Sequence, residues 1–244
     1  MRVFLLNPSF SGERLYSLKS KERQYLNKVL RLDIGIEFTA KDHDDNYFKA
    51  TLIDPDTLSL EPTDNPEDTL LDNLSGYKGP FAQIDMYISI LKGKKNELVV
   101  KALTEIGVTR IVLVQSQYVQ EKNFTSHQRE RLETILKEAV QQSGAKAPNL
   151  EGPVSFEEAI SNANGDILIM HQSKITKTKS LKDISLSLDR PISVFIGPEG
   201  GFSDEECNLA IERNGTPILL NTNILRAETA SIYASSVVQS ILHH

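Results

Sequence analysis

The stretch PISVFIGPEGGFSDEECNLAIERNGTPILL (Pro191–Leu220) decides the fold. Its opening six residues are mostly apolar and rich in β-branched side chains, the composition of a strand covered on both faces. Gly197-Pro198-Glu199-Gly200-Gly201 interrupts the run. Ser203-Asp204-Glu205-Glu206 then has the spacing of a capping box that opens a helix. Gly215 closes that helix, and TPILL (Thr216–Leu220) reads as a second buried strand. Strand, helix and strand in one direction make a crossover unit of a parallel sheet.

The same alternation extends outward. IDMYISIL (Ile84–Leu91), RIVLVQ (Arg110–Gln115) and DILIM (Asp166–Met170) are predicted strands. Helices are predicted over 94–106, with Leu98, Val99, Ala102, Leu103 and Ile106 inward, and after the Thr125–Gln128 box, with Leu132, Ile135, Leu136, Ala139 and Val140 inward. Ser155–Glu158 caps another short helix, and a final helix runs from about Arg226 to His243. Five strands alternating with helices predict an α/β domain with a mostly parallel sheet.

The N-terminal part differs. IEFTAK (Ile36–Lys41), YFKATLI (Tyr47–Ile53) and TLSLE (Thr57–Glu61) alternate as strands of a small β-barrel. KSKERQYLNKVLR (Lys19–Arg31) has helical periodicity, with Tyr25, Val29 and Leu30 on one face. A Pro- and acid-rich linker over 61–80 places the domain boundary near residue 75, giving domains 1–74 and 75–244.

The 244 residues suffice for a core without disulfides, and the single Cys207 excludes an intrachain disulfide and a multi-cysteine metal site. No apolar run reaches the roughly 18 residues of a membrane span. A soluble cytoplasmic protein is expected, with no role for His243 and His244. The net charge of −6 hides an uneven distribution: +5 over residues 1–31, −10 over 32–72 and −1 over the remainder. A basic N-terminal segment is a candidate nucleic-acid contact; a solvated surface is the plain alternative. The P-loop, GxSxG, HExxH and GxGxxG motifs are absent. KDHDDNYF (Lys41–Phe48) starts like a calcium loop but has Tyr47 for the required Gly and Ile53 for the final Glu, so a hairpin tip is the better reading.

Three segments stand out as sites. The glycine loop 197–201 joins a buried strand to a helix N-terminus, where glycine lets backbone approach a ligand; the alternative is a tight turn. Glu199 there argues against a phosphate and for a cationic or hydroxyl-rich ligand. Asn221–Thr229 also follows a buried strand and carries Arg226 and Glu228. The helix beyond it has a seam of Ala227, Ala230, Ala234, Val237 and Ile241, which suits a dimer contact or an intrachain core equally. HQSKITKTKSLK (His171–Lys182) reads as a mobile basic loop.

These segments, in this order, resemble the RsmE family of 16S ribosomal RNA (uracil-N3)-methyltransferases of the SPOUT superfamily. GPEGGFSDEE (197–206) is similar to the family's glycine loop, and ILRAETA (224–230) to its final motif. LKGKKNELVVKALTEIGV (91–108) resembles its KG…E…KATELGV segment, and YLNKVLRLDIG (25–35) its N-terminal signature. Asn221 and Asn223 stand where the family carries Gly and Arg, Tyr118 where it carries Arg, and Asp33 where a basic residue is usual; the signature's His is replaced around Gln24.

The resemblance implies an N-terminal PUA-like RNA-binding barrel and a trefoil-knotted α/β domain. It implies S-adenosylmethionine as cofactor, held by Met170, His171, Ile196, Gly197, Pro198, Gly200, Gly201, Leu219, Leu220, Asn221, Ile224, Leu225 and Arg226. Its reaction would be methylation of N3 of a decoding-region uridine in 16S rRNA of the small ribosomal subunit, by a homodimer joined through the C-terminal helix and without a metal. Arg226 and Glu199 are the expected catalytic residues; the base remains open among Glu199, His171 and water. Arg14, Lys19, Lys21, Arg23, Lys28, Arg31, Lys174, Lys177 and Lys179 are the expected RNA contacts. The alternatives are a knotted methyltransferase acting on another RNA, at a tRNA or 2′-hydroxyl target, and a non-catalytic RNA-binding assembly protein.

Overall fold

A computed structural model describes residues 3–64, 82–171 and 178–242, and side chains at 28–30 are outside that description. The chain divides into two compact units, Met1–Gly79 with Gln141–Gly144, and Pro80–Val140 with Ala145–His244. The expected boundary near residue 75 and most of the linker lie outside the described residues, as do Lys174, Lys177, His243 and His244.

The first unit is a five-stranded sheet in the order β1 (Phe4–Leu5), β3 (Glu37–Lys41), β4 (Tyr47–Asp54), β5 (Thr57–Thr63), β2 (Leu15–Ser17). The β1–β3 pair is parallel and the others antiparallel. Alternate residues, among them Phe48, Ala50, Leu52, Leu58 and Leu60, enter one core with Phe4, Phe10 and Leu26. The basic segment forms α1 (Ser20–Gln24), which continues as a π-helical turn over Tyr25–Leu30. Buried Glu22 fastens it: one oxygen accepts from the Tyr16 hydroxyl at 2.8 Å and the other from the Lys19 N–H at 2.8 Å. Arg31 ends the turn at φ 53°, a left-handed conformation that a side chain disfavours.

The second unit is built on a six-stranded parallel sheet. Its order is β11 (Thr216–Ile218), β9 (Asp166–Met170), β10 (Ile192–Ile196), β6 (Ile84–Ser89), β7 (Arg110–Gln115), β8 (Asn149–Ser155). Strand periodicity sorts the side chains. Met86, Ile88, Leu168, Val194 and Ile196 face one layer, with α2 (Lys95–Ile106), α3 (Ser126–Ser143) and α6 (Ala227–Leu242). Tyr87, Val112, Ile169 and Phe195 face the other, with α4 (Phe156–Ser161) and α5 (Asp204–Glu212). Tyr87 and Phe195 stack at 4.3 Å on that side. Each fully buried side chain of this size contributes roughly 1.5–3 kcal/mol, so both faces are strongly committed.

The edge at β11 is unusual. On one side β11 pairs with β9, and on the other Ile218 bridges to Lys179. The Lys179 N–H donates to Pro217 O at 2.9 Å, and the Leu219 N–H donates to Lys179 O at 2.9 Å. The chain enters β11 from α5 on one face of the sheet and leaves it toward α6 on the other. It therefore changes face between β9 and the 179–180 segment that leads into β10.

Several expectations change. β8 is a sixth strand; as a half-exposed edge containing Gly152 and Pro153 it has no apolar run to betray it. Leu98, expected inward, is 51% exposed, and Val100 takes its place in the core. Of the α6 seam, Ala227 and Ala234 are buried in this chain's own core and Ala230, Val237 and Ile241 pack against it, so the seam is not a free contact surface. Lys179 is pinned by backbone bonds to β11 rather than carried on a mobile loop.

Candidate active site

In open parallel sheets, ligands bind outside the carboxyl ends of the strands. Here a cavity of about 470 Å³ lies at the ends of β9, β10 and β11. β9 gives it Met170 and His171, and the β10 loop gives Ile196, Gly197, Pro198, Glu199, Gly200 and Gly201. The chain after β11 gives Leu220, Ile224, Leu225 and Arg226. Two expected residues are not in its wall. Leu219 is 40% exposed, because alternation along β11 turns Ile218 and Leu220 inward and Leu219 away. Asn221 instead donates from Nδ2 to Ser180 Oγ at 2.8 Å. Phe202, Ile218, Asn223, Ala227 and Ala230 complete the wall, none of them among the residues expected to hold the cofactor; the sequence marks Asn223 only as a departure from the family, and Ala227 and Ala230 only as part of the helix seam.

The glycine loop owes its shape to its neighbours. The Gly201 N–H donates to Pro198 O at 2.9 Å, closing a tight turn, and Gly201 has φ +75°. A Cβ on Gly197 would lie 3.1–3.2 Å from the Gly201 and Phe202 backbone. A Cβ on Gly200 would lie 3.0 Å from the Tyr118 Cβ. Both members of the Ser203–Glu206 box form, and Glu206 also accepts from the Gln117 N–H at 2.8 Å. The loop is thereby tied to the turn after β7.

Charge enters from three elements. Lys95, which begins α2, places Nζ 2.5 Å from Glu199 Oε1 and 3.7 Å from Glu228 Oε2. Neither Lys95 nor the pairing was read from the sequence, since 104 residues separate the partners. Partial burial pushes the Glu199 carboxyl up, but the Lys95 hydrogen bond and charge together with backbone donors outweigh it and hold it below the usual range. A carboxylate held this way is a weak proton acceptor. The same hydrogen bond raises Lys95. Burial lowers His171, only partly opposed by Asp204, so its imidazole is neutral near pH 7, and its Nε2 is buried without a hydrogen-bond partner. Cys207 faces the core, where burial pushes its thiol up to about 11, so it offers no thiolate.

Among the described residues no cluster of His, Cys, Asp and Glu is arranged to hold a metal. No helix among them is long and apolar enough to cross a membrane. In the first unit Lys19, Lys21 and Arg31 are exposed. Arg14 pairs with Glu61 at 3.8 Å and Arg23 with Asp56 at 2.7 Å. Antiparallel pairing of β2 with β5 brings acids of the −10 segment beside the basic one.

The RNA methyltransferase domain model matches residues 78–239, most of the chain. The chain belongs to the RsmE family of RNA methyltransferases. Ribosomal RNA small subunit methyltransferase E of Rickettsia conorii is 29% identical over 91% of this chain and 96% of its own length. Ribosomal RNA small subunit methyltransferase E 2 of Borreliella burgdorferi is 32% identical over 66% and 67%. A Legionella pneumophila methyltransferase solved in complex with bound SAM superposes with a TM-score of 0.82 at 25% identity, covering 98% of this chain and 96% of that one. The Neisseria gonorrhoeae methyltransferase E shares the fold with a TM-score of 0.78 at 23% identity, over 99% and 98%. Within the RsmE segments, Lys95 belongs to the KG…E stretch and Glu228 to the final motif, so the charge cluster is assembled from three family segments.

Proposed function

We propose that this chain is an S-adenosylmethionine-dependent methyltransferase that modifies N3 of a decoding-region uridine in 16S rRNA. The observation that carries the reading is the cavity itself, closed by the glycine loop and the 224–226 segment in an RsmE-family fold. Its volume lies in the range of about 300–1,000 Å³ usual for small-molecule pockets. The wall fits the cofactor: Met170, Ile196, Leu220 and Leu225 offer apolar surface for an adenine, the glycine-loop backbone permits close approach, and the unpartnered His171 Nε2 awaits a polar group. Glu199 supplies negative charge toward a cation.

S-adenosylmethionine, when bound, supplies a methyl group on a positively charged sulfur. The chain's own task is to present a uracil whose N3 has lost its proton. Arg226, exposed at the cavity mouth, is the group that stabilises the resulting negative charge. Glu199, held ionised by Lys95, is a poor base, so the N3 proton goes to water. The neutral His171 is the second acceptor in reach of the cavity.

The knotted topology is supported by the passage of β11 between β9 and Lys179–Ser180. An RNA-binding, PUA-like role for residues 1–74 is supported by the five-stranded sheet and the exposed Lys19, Lys21 and Arg31. A homodimer in the cytoplasm completes the reading; its interface would use the outward residues Tyr233 of α6 and Leu98 of α2, both exposed, in place of the buried seam.

The test uses small ribosomal subunits from a strain lacking this gene, with labelled cofactor and nucleoside analysis of the product. Label in 3-methyluridine supports the reading. Label in another nucleoside, or none with a folded protein that binds the cofactor, refutes it.

A further inference from the structure

Arg226 must stay available to an anionic base, yet two carboxylates lie beside it. Glu228 follows it by two residues in the first turn of α6, and Glu199 faces the same cavity from the glycine loop. Glu228 is 9% exposed, and its Oε2 has no hydrogen-bond partner. Both acids are answered by one cation from a third element, Lys95. Arg226 is near enough to repel Lys95. Among the described residues Arg226 itself makes no ion pair. With Lys95 gone, two uncompensated carboxylates, one of them buried, would draw free cations toward them, and Arg226 lines the same cavity as Glu199.

We propose that Lys95 is a positioning residue for methyl transfer: by occupying Glu199 and Glu228 it keeps Arg226 free to face the anionic base. The inference rests on the uracil-N3 reading for the identity of that base; the cluster of Lys95, Glu199 and Glu228, and the cavity that Glu199 shares with Arg226, do not depend on it. Lys95 needs no contact with RNA or cofactor to act this way. Its removal should affect turnover far more than cofactor affinity, and removing the buried Glu228 along with it should give part of the turnover back. A lysine that merely braces α2 against the loop would show no such recovery.

The experiment measures transfer of a labelled methyl group into unmodified small subunits at saturating cofactor, alongside calorimetric titration with S-adenosylmethionine. Lys95→Arg should stay within about fivefold of the parent. Lys95→Met should lower kcat by about 100-fold, the scale of losing one preorganised charge-stabilising group, with cofactor affinity changed less than about threefold. Lys95→Met combined with Glu228→Gln, which leaves Glu199 of the cavity wall in place, should regain at least about threefold in kcat over Lys95→Met alone. Lys95→Gln, which removes the charge but keeps a donor for Glu199, carries the same test where Lys95→Met is insoluble. A kcat for the neutral variants within threefold of the parent overturns the proposal, and so does a Lys95→Met, Glu228→Gln double variant no faster than the single one. Nucleoside analysis of the parent's product reports separately on uracil N3: label elsewhere sinks that reading while the recovery ratio still judges Lys95.

Discussion

Replacing Gly197 by alanine is the sharpest single probe of the cavity. The new Cβ would sit 3.1 Å from the Gly201 carbonyl carbon, 3.2 Å from its Cα and 3.2 Å from the Phe202 nitrogen. Carbon contacts are optimal at about 3.5–4.0 Å, so the methyl arrives several tenths of an ångström too close. Its neighbours are backbone, and they belong to the turn closed by the Gly201 N–H and Pro198 O. Nothing can rotate aside, and the turn itself must open. Overpacking of this sort costs roughly 1–3 kcal/mol. The strain falls on the loop that forms the cavity wall, so it should appear in binding: at about 1.4 kcal/mol per decade, affinity for S-adenosylmethionine drops roughly 5- to 140-fold. Gly200→Ala is the companion variant. Its Cβ would meet the Tyr118 Cβ at 3.0 Å, an atom that no side-chain rotation moves, but the crowding falls between the loop and its neighbour rather than across the 197–201 turn, so affinity should drop less than for Gly197→Ala. Calorimetric titration of both variants, after a thermal melt shows that each is folded, makes the comparison. Equal affinities for the parent and Gly197→Ala refute the reasoning that this turn shapes the cofactor site.

Arg31→Gly should raise unfolding stability by about 1 kcal/mol in urea, because the left-handed φ of 53° no longer carries a Cβ, while RNA affinity falls. The burial that lowers His171 leaves the folded state holding fewer protons than the unfolded one below the ordinary value of 6.5. That contribution is complete above 6.5 and is lost as pH falls toward the lower folded value; His171→Asn should therefore flatten the stability profile between pH 7 and 5, and an unchanged profile rules the mechanism out. Ala234→Glu puts a charge into the core rather than at a subunit interface, so it should yield unfolded or insoluble protein, whereas Tyr233→Glu should yield folded monomers by light scattering. Changing Lys19, Lys21 and Arg31 together to Ala should reduce the slope of log affinity against log salt by roughly 0.7–0.9 for each phosphate that is no longer neutralised; a parental slope places the RNA path elsewhere.

Features confined to one short stretch were legible in the sequence. The capping boxes at Thr125 and Ser203 form as their spacing implies, and the Ser155 hydroxyl caps its helix by accepting from the Glu158 N–H. The strands buried on both faces read as apolar runs, and the glycine loop announces itself between one of them and a helix. What stayed hidden depends on distant partners or on edges. β8 is half-exposed and β1 only two residues long, so neither carries a periodic signal. The neutralising of Arg14 and Arg23 follows from β2–β5 register, which no local pattern encodes. Leu98 satisfies a helical period as well as Val100 does; which of them faces inward depends on how α2 lies against α6 and the sheet.

The chain's departures from its family follow the same division. Asn221 bonds to Ser180 on the segment flanking β11, so a change there adjusts how that segment is held, not the cavity wall. Asn223 does line the cavity and is exposed. Tyr118 lies against Gly200, on the outer side of the glycine loop. None of the three replaces a backbone group of the 197–201 turn. The cofactor wall is made largely of backbone and apolar side chains whose geometry is set by the sheet ends, so side-chain drift around it leaves it intact. An RNA-facing side would depend on individual charges, and the resemblance implies that Asn223 and Tyr118, an amide and a phenol, stand where the family carries arginine. Cofactor affinity and RNA affinity should accordingly respond independently: restoring arginine at 118 or 223 should alter the salt dependence of RNA binding while leaving the calorimetric affinity for S-adenosylmethionine where it was.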